Sequence, residues 1–336
     1  MQKHEERFSL KDNLFNKEKV EKIAIELSQA YPDFDAKGFT KQVLTKLPEL
    51  ELMERIYWIR DSLKEYLPAD YRKAVSIMLQ SLPPESDPTK EDNDFGDFIY
   101  APHSYFVAEF GCTKKDLRFS LAALKELTTR FSVEGPIRFF LNAFPEETTA
   151  EVKTWAHDDH YHVRRLASVG TRPLMPWAKK IIIPFQDALP ILDVLYTDKT
   201  RFVTRSVANH VNDISKLDAN RAIALLKKWK KSKQQSEKEM QYIMSHALRT
   251  LVKQGNKEEL SMLGYDTDHI NVSNFSIETP TVRIGEALRF SFTIISTSKE
   301  MQQLMIDYVL HFNKANGSLS PKTFKIAKKK LKAEET

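Results

Sequence analysis

Apolar residues keep a helical period from Asn16 to about Gly264, almost without interruption. The first apolar stripe follows Asn16, and a second follows Asp35, both of which are residue types that cap the start of a helix. The apolar members of the first stripe are Val20, Ile23, Ala24 and Leu27. A later stripe stops before Pro83-Pro84, where proline cannot continue a helix. The pattern predicts short antiparallel helices joined by turns rich in proline and aspartate.

A short basic motif recurs in this helical part. The sequence Val-Arg-Arg at residues 163–165 aligns with Val-Thr-Arg at residues 203–205 at an offset of forty residues, and Arg249 lies forty-four residues further on. Each copy lies in a helix that follows another helix, which is typical of HEAT-like repeats. The sequence therefore predicts a mainly α fold, with a HEAT-like helical repeat solenoid over residues 1–265.

The pattern changes after Tyr265. From Asn271 onward, β-branched and aromatic residues alternate with polar ones, and Asn316-Gly317 is a dipeptide favoured in hairpin turns. We expect a small antiparallel β domain over residues 268–336. Four or five strands are fewer than the seven of an immunoglobulin-like sandwich, so the domain is predicted to be partial, through either a shortened chain or an abbreviated domain.

Composition limits the class of protein. The formal net charge is +5, so a nucleic-acid surface has to come from local clustering of basic residues. Cys112 is the single cysteine, which excludes a disulfide framework and a Cys-x-x-Cys site. The charged N-terminal segment does not resemble a signal peptide, and no apolar run approaches the roughly 20 residues that span a bilayer. We expect a cytoplasmic protein with no membrane association.

Aromatic and charged residues are concentrated between Thr154 and Lys180. Trp155 shares a helical face with apolar neighbours, and we assign it to the core. Trp177 lies in a segment that two prolines keep out of regular helix, and such a tryptophan can stack on a base or hold a cation against its ring. Trp177 is therefore a candidate ligand contact.

Three carboxylates lie near these residues. Glu134, Asp158 and Asp159 could each stabilise a cationic sugar in a transition state and orient a water molecule. Asp158 and Asp159 have an alternative role, because an Asp pair before a helix commonly caps it, here the helix expected to begin at His160. Glu134 has no comparable structural role in the sequence.

The repeated arginines also allow two interpretations. They are Arg164, Arg165, Arg205 and Arg249. On the inner face of successive repeats they would line a surface suited to a phosphate backbone. Alternatively, each arginine bonds an aspartate of the neighbouring repeat. The sequence by itself leaves both interpretations open.

Other charged or ligating residues carry less specific signals. The histidines at positions 157, 160 and 162 lack the spacing of a zinc site, so we expect no metal. The acidic segment 83–97 would repel phosphate and is expected to face away from DNA. Lysine-rich stretches at 227–233 and near the C-terminus could touch phosphate as solvated surfaces.

Several stretches resemble one family. The sequences RFSVEGPIRFF, WAHDDHYHVRRLASVGTRPLMPWA and RSVANHVNDISK are similar to signatures of the AlkC-type alkylpurine DNA glycosylases. The resemblance covers nearly the whole chain and implies HEAT-like repeats, with an immunoglobulin-like domain in some members. It implies excision of cationic alkylated bases, chiefly 3-methyladenine, from duplex DNA. The family grips and bends the duplex without flipping the lesion into a deep pocket. No cofactor is implied, and we expect a monomer.

The resemblance also implies roles for individual residues. Glu134 corresponds to an acid of the catalytic site, Trp177 to the aromatic side chain beside the lesion, and Arg164, Arg165, Arg172 and Arg205 to contacts with the DNA backbone. Independently of the resemblance, Asp158 and Asp159 are further candidate catalytic carboxylates because of their basic and aromatic neighbours in the sequence. The expected DNA contacts are Arg138, Arg164, Arg165, Arg172, Arg205, Asn209 and Arg249.

One position departs from the family. The family pattern reads Ser-Glu-Gly-Thr-Arg-Pro, whereas this chain has Val169 between Ser168 and Gly170. A valine cannot stabilise a cationic sugar. Either another carboxylate serves alone, or the activity is reduced or lost. The alternative hypothesis is a catalytically silent repeat module that binds damaged or bent DNA, or a protein partner.

Overall fold

The computed structural model describes residues 9–87, 89, 95–253, 263–265, 269–283 and 285–332. Helices occupy the chain up to Lys253, and strands follow from Ile270. The helices are α1 Leu10–Leu14, α2 Lys17–Ala30, α3 Ala36–Lys46, α4 Leu52–Tyr66, α5 Tyr71–Gln80, α6 Ala101–Gly111, α7 Leu117–Thr128, α8 Ile137–Ala143, α9 Pro145–Trp155, α10 Tyr161–Gly170, α11 Leu189–Leu195, α12 Arg201–Leu217, α13 Ala219–Ser232, α14 Glu237–Ala247 and α15 Arg249–Lys253. The strands are β1 Ile270–Ile277, β2 Phe290–Ser296, β3 Gln302–Asn313 and β4 Leu319–Leu331.

The predicted caps and stripes are confirmed in the first helices. The Asn16 side chain accepts a hydrogen bond from the Lys19 amide at 3.0 Å, and the Asp35 side chain accepts one from the Gly38 amide at 2.9 Å. The whole first stripe, from Val20 to Leu27, is buried. These caps satisfy amide groups that a helix start leaves without partners, and the buried stripe faces the core.

Neighbouring helices pack against one another in sequence order. Helix α2 packs on α3 and α5, and α4 packs on α3 and α6. Further along, α8 packs on α9, and α10 packs on α7, α9 and α11. Trp155, at the end of α9, is buried as predicted. The mainly α architecture is thus confirmed, and α10 lies between the helices before and after it.

Packing divides the chain into two compact units. One comprises residues 1–214 and 229–236, and the other comprises residues 215–228 and 237–336. The predicted boundary near residue 265 followed the change from helix to strand. The second unit also includes α14 and α15. Side chains of these two helices line one cavity together with side chains of β3 and β4.

The second unit contains two antiparallel strand pairs. β1 pairs with β2, and β3 pairs with β4. The β3–β4 turn lies at the predicted dipeptide: Gly317 has φ +80°, and the Lys314 amide donates to the Ser318 carbonyl at 2.9 Å. Glycine adopts this left-handed conformation without a Cβ clash. The predicted small antiparallel β domain is therefore confirmed.

Candidate functional site

Glu134 lies in the turn before α8 and is held by three side chains. Its Oε2 accepts hydrogen bonds from Ser132 Oγ and Arg165 Nη2, each at 3.0 Å. Its Oε1 accepts one from Trp177 Nε1 at 2.9 Å. Gly135 and Pro136 follow, and α8 begins directly after them. The carboxylate is therefore fixed in position by residues from three different segments.

The same contacts keep Glu134 ionised. Burial by itself raises the pKa of this carboxyl group, since a charged group loses hydration. The positive charge of Arg165 and the hydrogen bonds from Trp177, Ser132 and Arg165 outweigh that effect, and the pKa lies below the ordinary value. At neutral pH the site therefore contains a fixed carboxylate anion that binds a proton poorly.

Arg165 lies on α10 beside two aromatic rings that also contact each other. Its guanidinium carbon is 4.5 Å from the centroid of the Phe202 ring and 5.2 Å from that of Phe95. Arg165 Nη1 also donates to Ser132 Oγ at 2.7 Å. An aromatic ring stabilises a nearby cation through the negative charge of its face. The guanidinium that pairs with Glu134 is therefore itself fixed in place.

Trp177 lies in the segment after α10, and 63% of it is exposed. This segment is tied to α8. The buried Arg138 donates to the carbonyl oxygens of Lys179 and, at 2.9 Å, of Arg172. Asn142 donates to the Lys180 carbonyl at 2.9 Å. These bonds on both sides of Trp177 hold its exposed ring next to Glu134.

Two cavities meet at this point. One, of about 460 Å³, is lined mainly by apolar and aromatic side chains, including Phe98, Tyr105 and Phe131. The other, of about 170 Å³, is lined mainly by polar and basic side chains. Its basic members are Arg165, Arg172 and Arg205, and its neutral polar members are Ser206 and Asn209. Glu134 lines both cavities and is the only carboxylate among the described residues that line them.

Val169 lies in the wall of the smaller cavity, one helical turn after Arg165. It is 2% exposed. A carboxylate at this position would belong to the same cavity wall as Arg165, Arg172 and Arg205. With valine here, the excess of basic over acidic side chains in the cavity is larger than with the acid of the family pattern.

Comparison with known proteins gives this geometry a context. The chain is 33% identical to the uncharacterized protein YhaZ of Bacillus subtilis (strain 168) over 328 residues, which cover 96% of this chain and 87% of YhaZ. Residues 126–253 match the family model for DNA alkylation repair enzymes, and residues 271–336 match that for the C-terminal Ig-like domain of YhaZ. The chain belongs to the DNA alkylation repair enzyme family.

A solved structure supports this assignment. The fold matches Pseudomonas fluorescens alkylpurine DNA glycosylase AlkC bound to DNA containing an abasic site analog. The TM-score is 0.85 and the identity 32%, and the match covers 98% of this chain and 88% of that one. The family resemblance and the fold expected from the sequence are therefore confirmed.

In this DNA alkylation repair family member, the expected catalytic residues Asp158 and Asp159 make contacts near the start of α10. Asp158 Oδ2 is 2.6 Å from Lys125 Nζ, and Asp158 Oδ1 accepts from the His160 amide at 2.9 Å. Asp159 is exposed, and its carbonyl oxygen accepts from Arg164. Neither residue is part of the described lining of the two cavities. Asp158 bonds the amide of His160, and His160 is the residue that caps α10.

The expected DNA-contacting arginines fall into different environments. Arg138 is fully buried and bonds backbone carbonyls, so it cannot contact DNA. Arg164 Nε donates to Asp198 Oδ2 at 2.5 Å, and Arg172 Nε donates to Asp213 Oδ2 at 2.8 Å. Arg164, one of the repeated arginines, thus bonds an aspartate, as the alternative interpretation expects of these residues. Arg172 makes an ion pair of the same kind.

The remaining expected contacts stay candidates for DNA binding. Arg205 and Asn209 lie on one side of α12, half-buried, and line the smaller cavity together with Arg165. Arg249 starts α15 in the second unit and lines a separate cavity there. It is thus not at a helical position equivalent to Arg165 on α10 or Arg205 on α12.

Sequence reasoning missed Phe95, Ser132 and Phe202. Phe95 belongs to the acidic segment 83–97, which was expected to face away from DNA. Its ring instead lines both cavities, because the backbone around it pairs with the backbone beside Ser132. The Phe95-Gly96 dipeptide was the available signal, since an aromatic residue beside a glycine is unusual in an acidic loop. Asp92 and its neighbours at 90–94 lie outside the described residues.

The histidines have structural roles. His160 caps α10, where its Nδ1 accepts from the His162 amide at 3.2 Å. His162 Nδ1 lies 3.0 Å from the Thr128 carbonyl oxygen. Across the described ranges, no group of three His, Cys, Asp or Glu side chains is placed to hold a metal ion. None of the helices in the described parts is both long and apolar enough to cross a membrane.

Proposed function

We propose that this protein is a DNA glycosylase that hydrolyses the N-glycosidic bond of cationic alkylated purines, of the 3-methyladenine type, in duplex DNA. The observation that carries the proposal is the fixed, ionised Glu134 carboxylate beside the exposed Trp177 ring. Membership of the DNA alkylation repair family and the likeness to a glycosylase bound to DNA support the same reaction.

The chemistry needs little more than this anion. A cationic alkylated base leaves as a neutral molecule when the bond from C1′ to its nitrogen breaks, and both electrons go to the base. The sugar becomes an oxocarbenium-like cation, which a nearby carboxylate stabilises. A water oxygen then bonds C1′, and its proton passes to solvent. Because the pKa of Glu134 is low, this residue acts through its charge and by orienting water more than by accepting a proton.

The basic side of the site suits the DNA backbone. Arg205 and Asn209 line the smaller cavity next to Arg165. Side chains of these types contact phosphate and sugar oxygens, which position a duplex without reading its sequence. In this proposal the sugar lies against Glu134, and the adjacent phosphate lies towards Arg205.

Val169 favours a second candidate function. The family's acid is replaced, and the remaining carboxylate, Glu134, is already paired with Arg165 at 3.0 Å. A site with less anionic charge stabilises a cationic sugar less well. The second candidate is therefore a catalytically silent family member that binds alkylated or bent DNA through the same surface.

Release of 3-methyladenine from methylated duplex DNA, measured by chromatography, tests the proposal. We expect release by the wild type, a loss of about 100-fold or more in Glu134→Gln, and a gain in Val169→Glu. Glu147→Gln, at an exposed position of α9, is the matched control and should stay within about twofold of wild type.

The outcome also decides between the two candidates. Absence of release by the wild type, with duplex binding intact and release gained in Val169→Glu, would establish the silent binding module. Unchanged release in Glu134→Gln would show that the carboxylate has no part in the reaction.

A further inference from the structure

Phe95 is a large apolar side chain that the fold holds at the surface. It is 47% exposed, and it lies directly before Gly96, which pairs with Phe131 in an isolated β-bridge. The Asp97 amide donates to the Arg130 carbonyl at 2.9 Å. Backbone pairing thus holds the chain on the C-terminal side of Phe95 in place, although much of the surface of the Phe95 side chain faces solvent.

Gly96 makes this close backbone approach possible. Its φ is +80°, a conformation that residues with a side chain rarely adopt. A Cβ at this position would lie 1.8 Å from the Arg130 carbonyl oxygen, which is a severe clash with backbone. The chain therefore has a glycine where one is required to bring Phe95 to the site.

The Phe95 ring borders the groups that would meet a damaged nucleotide. It lines both cavities, and among the described residues it shares this property with Glu134 and Trp177. Its centroid is 5.0 Å from that of Phe202, in an edge-to-face arrangement. A fixed aromatic face beside a carboxylate attracts a flat cation, because the ring face carries negative charge.

We infer that Phe95 is a second aromatic contact to the damaged base, together with Trp177, and that it favours cationic over neutral bases. The inference rests on the substrate class proposed above. Phe95 is then a specificity-determining residue: the base lies against the two rings, and the sugar lies against Glu134. The competing explanation is that Phe95 only packs against Arg165 and so keeps Glu134 in place.

Binding to three matched duplexes separates these explanations. One duplex contains 2′-fluoro-7-methylguanine, whose fluorine prevents loss of the cationic base. The second contains a tetrahydrofuran abasic analogue, and the third is unmodified. We expect Phe95→Ala and Phe95→Leu to weaken binding of the first duplex about tenfold, as loss of an aromatic stack does. Binding of the other two should change less than about twofold, and Phe95→Tyr should restore the wild-type preference.

Phe202→Leu is the matched control. Phe202 covers Arg165 with its ring but is itself buried, so it cannot touch DNA. Phe202→Leu can act only through Arg165, so it should change binding of all three duplexes equally. If Phe95 contacts the base, Phe95→Leu should differ from this control by weakening chiefly the duplex with the cationic base. If Phe95→Leu also changes all three equally, Phe95 acts only through Arg165 and the inference is overturned.

This binding measurement does not require base release, so its result does not depend on whether the protein is an active glycosylase. A wild type that releases no base, yet prefers the cationic-base duplex through Phe95, would contradict the glycosylase proposal and support the present inference. A wild type that releases base but binds all three duplexes equally would support the glycosylase proposal and contradict the present inference.

Discussion

The Glu134 site and the basic cavity of the second unit both contain several cationic side chains, but they differ in how those cations are held. In the first, Arg165 and Arg172 each bond a carboxylate, at 3.0 and 2.8 Å. The second cavity, of about 570 Å³, is lined by Arg249, Lys253, Lys325 and Lys328. Among the described residues that line it, Asp307 is the one carboxylate. Its two strand lysines, Lys325 and Lys328, are exposed.

This difference distinguishes cations that attract a phosphate backbone from a cation that holds a carboxylate in place for a reaction. Exposed lysines on a strand can attract phosphate, an interaction that salt weakens and that does not distinguish one base from another. An arginine that contacts two rings and is paired with Glu134 has little freedom to follow a phosphate backbone. It serves instead to keep a carboxylate ionised at one place, which is what a reaction through a cationic sugar needs.

The largest expected effect comes from removing the fixed cation. Arg165→Met should destabilise the protein by about 3 kcal/mol, because it leaves a mostly buried carboxylate without its charged partner. The pKa of Glu134 should rise at the same time, since the Arg165 charge is the main influence that lowers it. Urea unfolding measures the first effect, and the pH dependence of base release measures the second.

Lys328→Met in the second cavity is the control for that substitution. This lysine is exposed, and its loss should change the free energy of unfolding by less than about 0.5 kcal/mol. Equal effects of the two substitutions would contradict the distinction between a held and an exposed cation.

Acid should weaken the first unit through its buried histidines. Burial, with the charges of Arg172 and Arg138, lowers the pKa of His210 from 6.5 to about 3, and burial lowers that of His103 to about 4. The unfolded chain therefore binds these protons first as the pH falls below 6.5. Stability should be constant above that pH and fall below it, by about 2 kcal/mol per histidine at pH 5.

Unfolding measured from pH 7.5 to pH 5 checks this expectation. His210→Asn should flatten the pH dependence, although it lowers stability at every pH. His311→Asn, at an exposed position of the second unit, should leave the pH dependence as in the wild type. A wild-type stability that stays level down to pH 5 would disprove the assignment.

The smallest effects concern phosphate contacts in both regions. Arg205→Gln and Lys328→Gln should each lower the salt dependence of duplex binding by about one unit of slope, with a uniform loss of affinity across sequences. Only Arg205→Gln should also slow base release from bound DNA, because Arg205 lines the cavity next to Glu134. Slower release in Lys328→Gln as well would remove the functional distinction between the two regions.

Local patterns predicted the elements well because each depends on neighbouring residues. The stripe from Val20 to Leu27, the caps at Asn16 and Asp35, and the turn at Asn316-Gly317 all involve partners within a few residues. The family motifs were recognisable for the same reason. Glu134 was chosen among the acids because it lacked an obvious local structural role.

The roles of the charged residues could not be predicted in this way. Asp158 and Glu134 are both acids near basic and aromatic residues in the sequence. Only the fold shows that Asp158 pairs with Lys125, whereas Glu134 bonds Arg165 and Trp177. Likewise, Arg164 and Arg165 are adjacent, yet one bonds Asp198 and the other Glu134.

By itself the sequence determined the helices, the strands, their order and the family, since periodicity, caps and short motifs are local properties of the chain. The tertiary structure decided which acid stays ionised in the site, which arginines are already paired, and that Phe95 joins Trp177 there. Those decisions rest on contacts between residues far apart in the chain, such as the bond between Trp177 and Glu134 across 43 positions. Burial and charge at such contacts arise only when the helices pack.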